Sequence, residues 1–391
     1  MQEQRPLIDL TEQTADSQTG SAMKLAWETE SAPQVGQQDV ISSMGMISAS
    51  DETNERAKTV SVIILNYNGR EDTKSCLLSL GELDFPREQL EIIVVDNGSS
   101  DGSTDMLRSE FPQVRVIENE TNLGFSRAAN QAAAEAKGEY LAFLNNDMRV
   151  AKGWLKAMLQ VVRPADGIVC AGSTILNWDG TAIDFMGRPN DAFCLYYDSS
   201  EIPPTPDDLP FPDKYALFVS CGAAIIQSKV FRELGGFEPD FFLYQEDVDL
   251  GWRLWLKGYK VVLSSRSFVF HRSGASSSKL PAEFIYKLNR KHALFSVFKN
   301  LEKDTLREIF PQLLYYILER SRFMIGAHEA IESVIKEFES SIDSWILKRQ
   351  AVQKGRVKTD AEIFSFPGHP LNFLCRGQHY QSARNRLAEY S

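Results

Sequence analysis

The segment Val60-Ser-Val-Ile-Ile-Leu-Asn-Tyr-Asn is an almost unbroken β-branched and aliphatic run that stops abruptly on asparagine. A strand apolar on both faces must be covered on both faces, which points to the interior of a parallel sheet packed between helices. The same design recurs twice: Leu90-Glu-Ile-Ile-Val-Val ends on Asp96-Asn-Gly-Ser-Ser-Asp, and Tyr140-Leu-Ala-Phe-Leu ends on Asn145-Asn-Asp. Helical stretches fall between them, over Asp72 to Leu80, Thr104 to Glu110 and the Ala-rich Phe125 to Ala136, with a further strand over Val114–Glu118. Strands and helices alternating at this spacing predict right-handed βαβ units, hence an α/β fold with a Rossmann-like, mostly parallel sheet. Ligands of such sheets bind beyond the carboxyl ends of the strands. All three polar clusters fall there, on one edge.

Residues 1–58 are different in kind. They carry ten acidic and four basic side chains, are rich in Gln, Ser, Thr and Glu, and lack sustained periodicity. Such a segment cannot bury enough apolar surface to offset the entropy of ordering it, so a disordered acidic tail is expected. Much of the chain's net charge of −11 resides in it, and an acidic protein is a poor general binder of nucleic acid. The N-terminus has no signal-peptide pattern. The longest strongly apolar stretch, Tyr215–Ile226, is interrupted by Ser220 and Gly222 and falls short of the roughly 20 residues that span a bilayer. Cysteines 76, 170, 194, 221 and 375 are scattered without Cys-x-x-Cys spacing, which argues against a disulfide framework or a zinc site. The expectation is a cytoplasmic protein.

The expected organisation is a tail over 1–58, a catalytic domain over 59–280 and a helical region over 281–391. Residues 178–213 contain Pro189, Pro203, Pro204, Pro206, Pro210 and Pro212 and read as one long loop. Regular structure resumes over Tyr215–Ile226, a helix Ser228–Leu234, a second helix Asp247–Lys257 closed by Gly258, and a strand Lys260–Leu263. Beyond Pro281, Ile285, Leu288, His292, Phe295 and Phe298 form one apolar helical face, with His292 read as a core residue. Lys287, Arg290, Lys291, Lys299 and Lys303 flank that face, and eight basic residues lie in 342–391. Basic and aromatic residues together suit an anionic surface. Peripheral contact with the inner face of a membrane is therefore expected, through the segment Leu313–Leu318 rather than the first helix.

Chemistry can be assigned to four places. Asp96, at the end of the second strand, can accept hydrogen bonds from a base imide or a ribose hydroxyl, although the same residues also suit an Asx/Gly turn. Asp147, directly after a buried strand, is placed to hold a divalent cation, Mg2+ or Mn2+, that bridges diphosphate oxygens. In Tyr244-Gln-Glu-Asp-Val-Asp-Leu-Gly-Trp-Arg, three carboxylates open a helix beside Phe241, Phe242 and Trp252, surroundings that can desolvate a carboxylate into the working range of a base. Asp247 is the candidate base. His271 precedes a Gly/Ser-rich loop and can serve as a metal ligand or phosphate contact. The candidate ligand contacts are Asn66, Asn68, Asp96, Asn97, Ser99, Asn122, Asn146, Glu246 and Arg253.

In order along residues 59–300, Val60-Ser-Val-Ile-Ile-Leu-Asn-Tyr-Asn, Val94-Val-Asp-Asn-Gly-Ser-Ser-Asp-Gly, Asn122-Leu-Gly-Phe, Leu144-Asn-Asn-Asp, Gly235-Gly-Phe, Glu246-Asp-Val-Asp-Leu and Val269-Phe-His-Arg-Ser-Gly-Ala-Ser resemble the family-2 inverting glycosyltransferases. The branch they look most like is the rhamnosyltransferase-like enzymes of bacterial surface polysaccharide. The resemblance implies a GT-A fold, a nucleoside-diphosphate sugar donor, a glycan or lipid-linked acceptor, a divalent cation and transfer with inversion. It also implies that Asp96 contacts the nucleoside, Asp147 the metal, and His271 the metal or diphosphate, with Asp247 as base. The metal triplet departs from Asp-x-Asp, reading Asn-Asn-Asp, which leaves one carboxylate. Two other classes are excluded less directly. A sugar-1-phosphate nucleotidyltransferase would need a basic Gly-rich loop where this chain has Asn66-Tyr-Asn-Gly-Arg. A non-catalytic sugar-nucleotide or glycan-binding protein, or a scaffold, would be favoured by loss of the base or metal carboxylate, and both are present.

Overall fold

The computed structural model describes residues 58–185, 213–272, 280–321 and 327–364. The expected tail, most of the Pro-rich loop and the Gly/Ser run after Arg272 lie outside them. The described strands are β1 (Val60–Asn66), β2 (Leu90–Asp96), β3 (Arg115–Glu118), β4 (Tyr140–Asn145), β5 (Met148–Val150), β6 (Ile168–Asn177), β7 (Ile183–Phe185), β8 (Lys214–Ala216), β9 (Ala223–Gln227) and β10 (Lys260–His271). They form one sheet in the order β3-β2-β1-β4-β9-β6-β10-β5, with β7 beside β6 and β8 beside β10.

The first half is parallel, β1 with β2 and β4, and β2 with β3, as alternation predicts. The second half is mixed. β9 runs antiparallel to both β4 and β6, whereas β10 is parallel to β6 and antiparallel to β5 and β8. The sequence reading is silent over residues 148–177 and so misses β5, β6 and the intervening helix. In β6 the run Cys170-Ala-Gly-Ser-Thr dilutes the aliphatic signal, although the strand is buried along nearly its whole length. The expected Tyr215–Ile226 segment divides into β8 and β9, and the expected short strand from Lys260 continues to His271 through a register shift between Ser264 and Phe268.

Helices α1 (Arg70–Gly81), α2 (Ser103–Glu110), α3 (Phe125–Glu135), α4 (Trp154–Val161), α5 (Ser228–Glu233) and α6 (Glu246–Leu256) cover the sheet. Alternate residues of β1 face opposite layers. Val62 and Ile64 pack with Cys76, Leu80, Met106 and Trp154, while Ile63 packs with Ala128, Ala132, Phe231 and Phe237.

The described C-terminal part contains α7 (Ala282–Asn300), α8 (Lys303–Ser321), α9 (Ala327–Lys354) and α10 (Asp360–Ile363). Trp252 and Leu256 of α6 share an apolar cluster with Leu294 and Val297 of α7, Leu313 and Ile317 of α8, and Ile331 and Val334 of α9. Within the segment Leu313–Leu318, expected to face a membrane, Leu313 and Ile317 are wholly buried in this cluster with α6, while Leu314, Tyr315 and Leu318 are partly buried. Three of the flanking lysines are also engaged internally. Lys299 is buried against Glu238 and Asp249, Lys291 pairs with Glu337, and Lys287 donates to Ser333. No helix among the described residues is long and apolar enough to cross a membrane.

Candidate active site

Register brings the strand ends together. Asn66 of β1 lies beside Asp96 of β2, and Leu65 lies beside Asn145 of β4. The Asp96 carboxylate accepts the Ser99 backbone N–H at 2.8 Å and the Asn66 side-chain amide at 2.7 Å, which fixes both oxygens at the edge. Asn66 in turn accepts from Gly69 N–H, the Thr73 hydroxyl and the Asn146 amide. Asn97 donates to Asn122 Oδ1 and the Gly124 carbonyl, and accepts from Asn119 and from Leu123 N–H. Asn68 adopts φ 51°, receives Ser100 N–H on its side chain and donates its own backbone N–H to Ser99 Oγ.

Asn66, Asp96, Asn97 and Asn146 are all buried with their side chains engaged by one another or by neighbouring loops, and these contacts shape the edge. The glycine of Asn122-Leu-Gly-Phe has an equally local reason. Gly124 has φ +79°, and a Cβ there would lie 2.5 Å from the Phe242 carbonyl oxygen, the acceptor for Phe125 N–H. That close approach ties the nucleotide edge to the segment leading into α6.

Asp147 and His271 meet through strand pairing. β10 runs antiparallel to β5 with His271 opposite Met148, and Arg272 N–H donates to the Asp147 carbonyl. His271 Nε2 lies 3.5 Å from Asp147 Oδ2, and Nδ1 donates to Asp184 Oδ2 at 2.6 Å. Partial burial would lower the imidazole pKa, but the two carboxylates outweigh it and raise it to about 9. Asp184, on β7 inside the supposed loop, is a residue that sequence reasoning missed. The one available signal was an acid two residues beyond Thr181-Ala, without any periodic context.

The other Asp147 oxygen, Oδ1, is buried and has no hydrogen-bond partner among the described residues. No group of three or more His, Cys, Asp or Glu side chains forms a complete cation cage among them. One carboxylate, an orphaned oxygen and an adjacent imidazole fit a cation that keeps several waters and takes its remaining ligands from phosphate, as Mg2+ commonly does.

At the start of α6 the carboxylates divide into two kinds. Asp249 is wholly buried. Burial alone would raise its pKa, yet Lys299 and Arg253 hold it well below the usual carboxylate range, with Arg253 Nε at 2.7 Å and Lys299 Nζ at 3.0 Å. Arg253 spends its other nitrogens on the Leu234 and Gly236 carbonyls. Its guanidinium thereby braces α6 against the Gly235-Gly turn.

Among the described residues, Glu246 and Asp247 have no such cations beside them. Burial, and for Glu246 also the neighbouring Asp247 charge, pushes Glu246 up to about 8 and Asp247 up to about 6. Asp247 is half-buried, and backbone N–H groups of Val248 and Cys221 direct its carboxylate. Cys221 precedes Gly222, whose carbonyl accepts Asn145 N–H at 2.9 Å. A short covalent and hydrogen-bonded path thus runs from the end of β4 to Asp247.

Glu246 yields a stability prediction with a defined sign. Its folded pKa of about 8 exceeds its ordinary value of 4.5, so its contribution is fully present below pH 4.5 and is lost as pH rises through 8. Glu246→Gln removes that loss. The variant should melt at a higher temperature than wild type at pH 7, with the gap closing below about pH 4.5; equal melting temperatures at both values would contradict the burial.

A parallel half with polar strand ends, Asp96 and Asp147 among them, joined to a mixed half that carries Glu246 and Asp247, is the architecture of a GT-A fold. The sequence profile of Glycosyl transferase family 2 matches residues 61–235, and that of Glycosyl transferase family group 2 matches residues 214–326. The two profiles together span residues 61–326 and mark the chain as a member of the family-2 glycosyltransferases.

It is 30% identical over 233 residues to the O-antigen biosynthesis protein RfbC of Myxococcus xanthus, covering 55% of this chain and 17% of that one. It is 23% identical over 234 residues to N-acetylglucosaminyl-diphospho-decaprenol L-rhamnosyltransferase of Mycobacterium tuberculosis, covering 53% of this chain and 74% of that one. In fold it resembles the crystal structure of GalNAc-T7 with UDP, GalNAc and Mn2+, at TM-score 0.53 and 18% identity over 74% of this chain and 58% of that one.

Proposed function

We propose that this chain transfers a sugar from a nucleoside-diphosphate donor to a hydroxyl of a glycan or lipid-linked acceptor, with inversion at the anomeric carbon, in surface polysaccharide assembly. The observation that carries this reading is Asp247. Its pKa of about 6 lets it be ionised, and still basic, near neutral pH, and the Cys221–Gly222–Asn145 path tethers it to the cation edge. A sugar hydroxyl is a poor nucleophile, so a carboxylate must take its proton as it attacks the anomeric carbon. One base and a single displacement need no covalent intermediate.

Asp96 would hold the nucleoside, Asp147 and His271 would hold the cation, and Asp184 would orient His271. When bound, the cation would neutralise charge gathering on the departing diphosphate. The rhamnosyltransferase named above favours a deoxyhexose donor and a diphosphate-lipid acceptor, which would bring the chain to a membrane surface.

The experiment is release of nucleoside diphosphate from a panel of UDP-, dTDP- and GDP-sugars, with Mg2+, Mn2+ or chelator, and with the product's anomeric configuration read by NMR. Cation-dependent release with inversion is expected from one donor. Tight donor binding without release, even with acceptor extracts present, would instead favour a binding protein.

A further inference from the structure

Among the described residues, the non-glycine positions with left-handed backbone are Asn68, Tyr244 and Gln245. The last two are consecutive, with φ 69° and 71°, and stand immediately before Glu246 and Asp247. Residues with a Cβ leave this conformation unless the surroundings hold them in it. A left-handed pair at the doorstep of the base therefore needs a clamp.

The clamp comes from α7. His292 Nδ1 lies 3.0 Å from the Leu243 carbonyl oxygen and 2.9 Å from that of Tyr244. Both neighbours are acceptors, so Nδ1 carries the proton. The ring is wholly buried and stacks on Phe241 at 4.4 Å, and Nε2 has no hydrogen-bond partner among the described residues. Burial holds its pKa down to about 4, which keeps the ring neutral as this geometry requires.

We infer that His292 is the positioning residue for the base: its Nδ1–H, shared between two consecutive carbonyls, holds the left-handed Tyr244–Gln245 turn that aims Asp247 at the acceptor. The inference rests on the assignment of Asp247 as base. It also gives the helical C-terminal part a duty beyond covering apolar surface, since the clamp belongs to α7 and the clamped turn to the catalytic segment.

The test separates a hydrogen bond from mere packing. His292→Phe keeps an aromatic ring against Phe241 and removes the donor. His292→Asn restores an N–H near the Nδ1 position. Gln245→Gly, added to His292→Phe, relieves the strain the clamp opposes.

Two readouts are taken on the full chain: nucleoside-diphosphate release from the donor that the panel selects, and hydrogen–deuterium exchange over residues 243–250. Misplacing a reacting group by about 1 Å costs up to ~10²-fold. His292→Phe should therefore lower kcat by about 10- to 100-fold with little change in donor KM, and should speed exchange over 243–250. His292→Asn should recover most of both, and Gln245→Gly should recover part of kcat.

Wild-type kcat and exchange in His292→Phe, or equal impairment of the Phe and Asn variants, would overturn the clamp. Should the Phe variant fail to fold, the Asn variant decides: near-normal kcat and exchange support the inference, and loss of both refutes it. If no donor on the panel is turned over by wild type, the functional reading fails, while exchange alone still judges the clamp.

Discussion

Asp247→Asn should lower kcat by roughly 10²- to 10⁴-fold, the usual worth of a positioned general base, while the protein folds as before. The amide keeps the size of the carboxylate and one oxygen for the N–H groups of Val248 and Cys221, but it cannot take a proton. Folding should not suffer, because the substitution removes a carboxylate whose ionisation burial already opposes. In the wild type the base is competent only when ionised, so kcat should rise with pH through about 6 and level off above it. In the variant that rise should vanish. A variant that turns over near the wild-type rate, or one that keeps the same acid limb, would move the base elsewhere.

Asp147→Ala should have the second largest effect, and it should fall on the cation. Changes to groups that merely support metal ligands cost about 10- to 100-fold in affinity or activity, so loss of the one carboxylate in Asn145-Asn-Asp should cost at least that. Calorimetric titration with nucleoside diphosphate, with and without Mn2+, reads it directly. Wild type should bind more tightly with the cation, and the variant should bind equally weakly in both conditions. The variant also removes one of two carboxylates that raise His271, so the imidazole pKa, followed by NMR, should drop from about 9. Cation-dependent binding that survives the change would transfer the metal role to His271 and Asp184.

Much of the nucleotide half of the molecule was readable because its instructions are local. β1, β2 and β4 are apolar on both faces and stop on polar residues, and the helices between them carry their own periodicity. Parallel register then aligns equivalent strand ends automatically, which is why Asn66, Asp96 and Asn145 could be expected on one edge before any coordinates. The seven ordered motifs supplied the family on the same footing. The reading failed where strand character is weak or membership is decided at a distance. β6 is buried but built partly of Cys, Ala, Gly, Ser and Thr, and β9 enters the sheet antiparallel between two strands remote in sequence.

The roles of individual polar residues were the least legible. Asn66, Asn97 and Arg253 have the residue types of ligand contacts, and their side chains meet partners remote in sequence that only the tertiary structure supplies. Asp249 and Asp247 are two residues apart on one helix, and the local rule that pairs Asp249 with Arg253 four residues on does not tell how either titrates. Lys299 reaches Asp249 from α7 and holds it ionised, while Asp247 accepts backbone N–H groups among the described residues and is pushed the opposite way. His292 was legible as a core residue from its place on an apolar helical face, but its two carbonyl partners come from a loop 48 and 49 residues earlier in the chain. The sequence by itself determined the parallel edge, its polar ends and the family, because those follow from short-range periodicity and register. Only the tertiary structure decided which α6 carboxylate is held ionised and which are pushed the other way, because a pKa depends on which charges and dipoles long-range packing brings within a few ångströms.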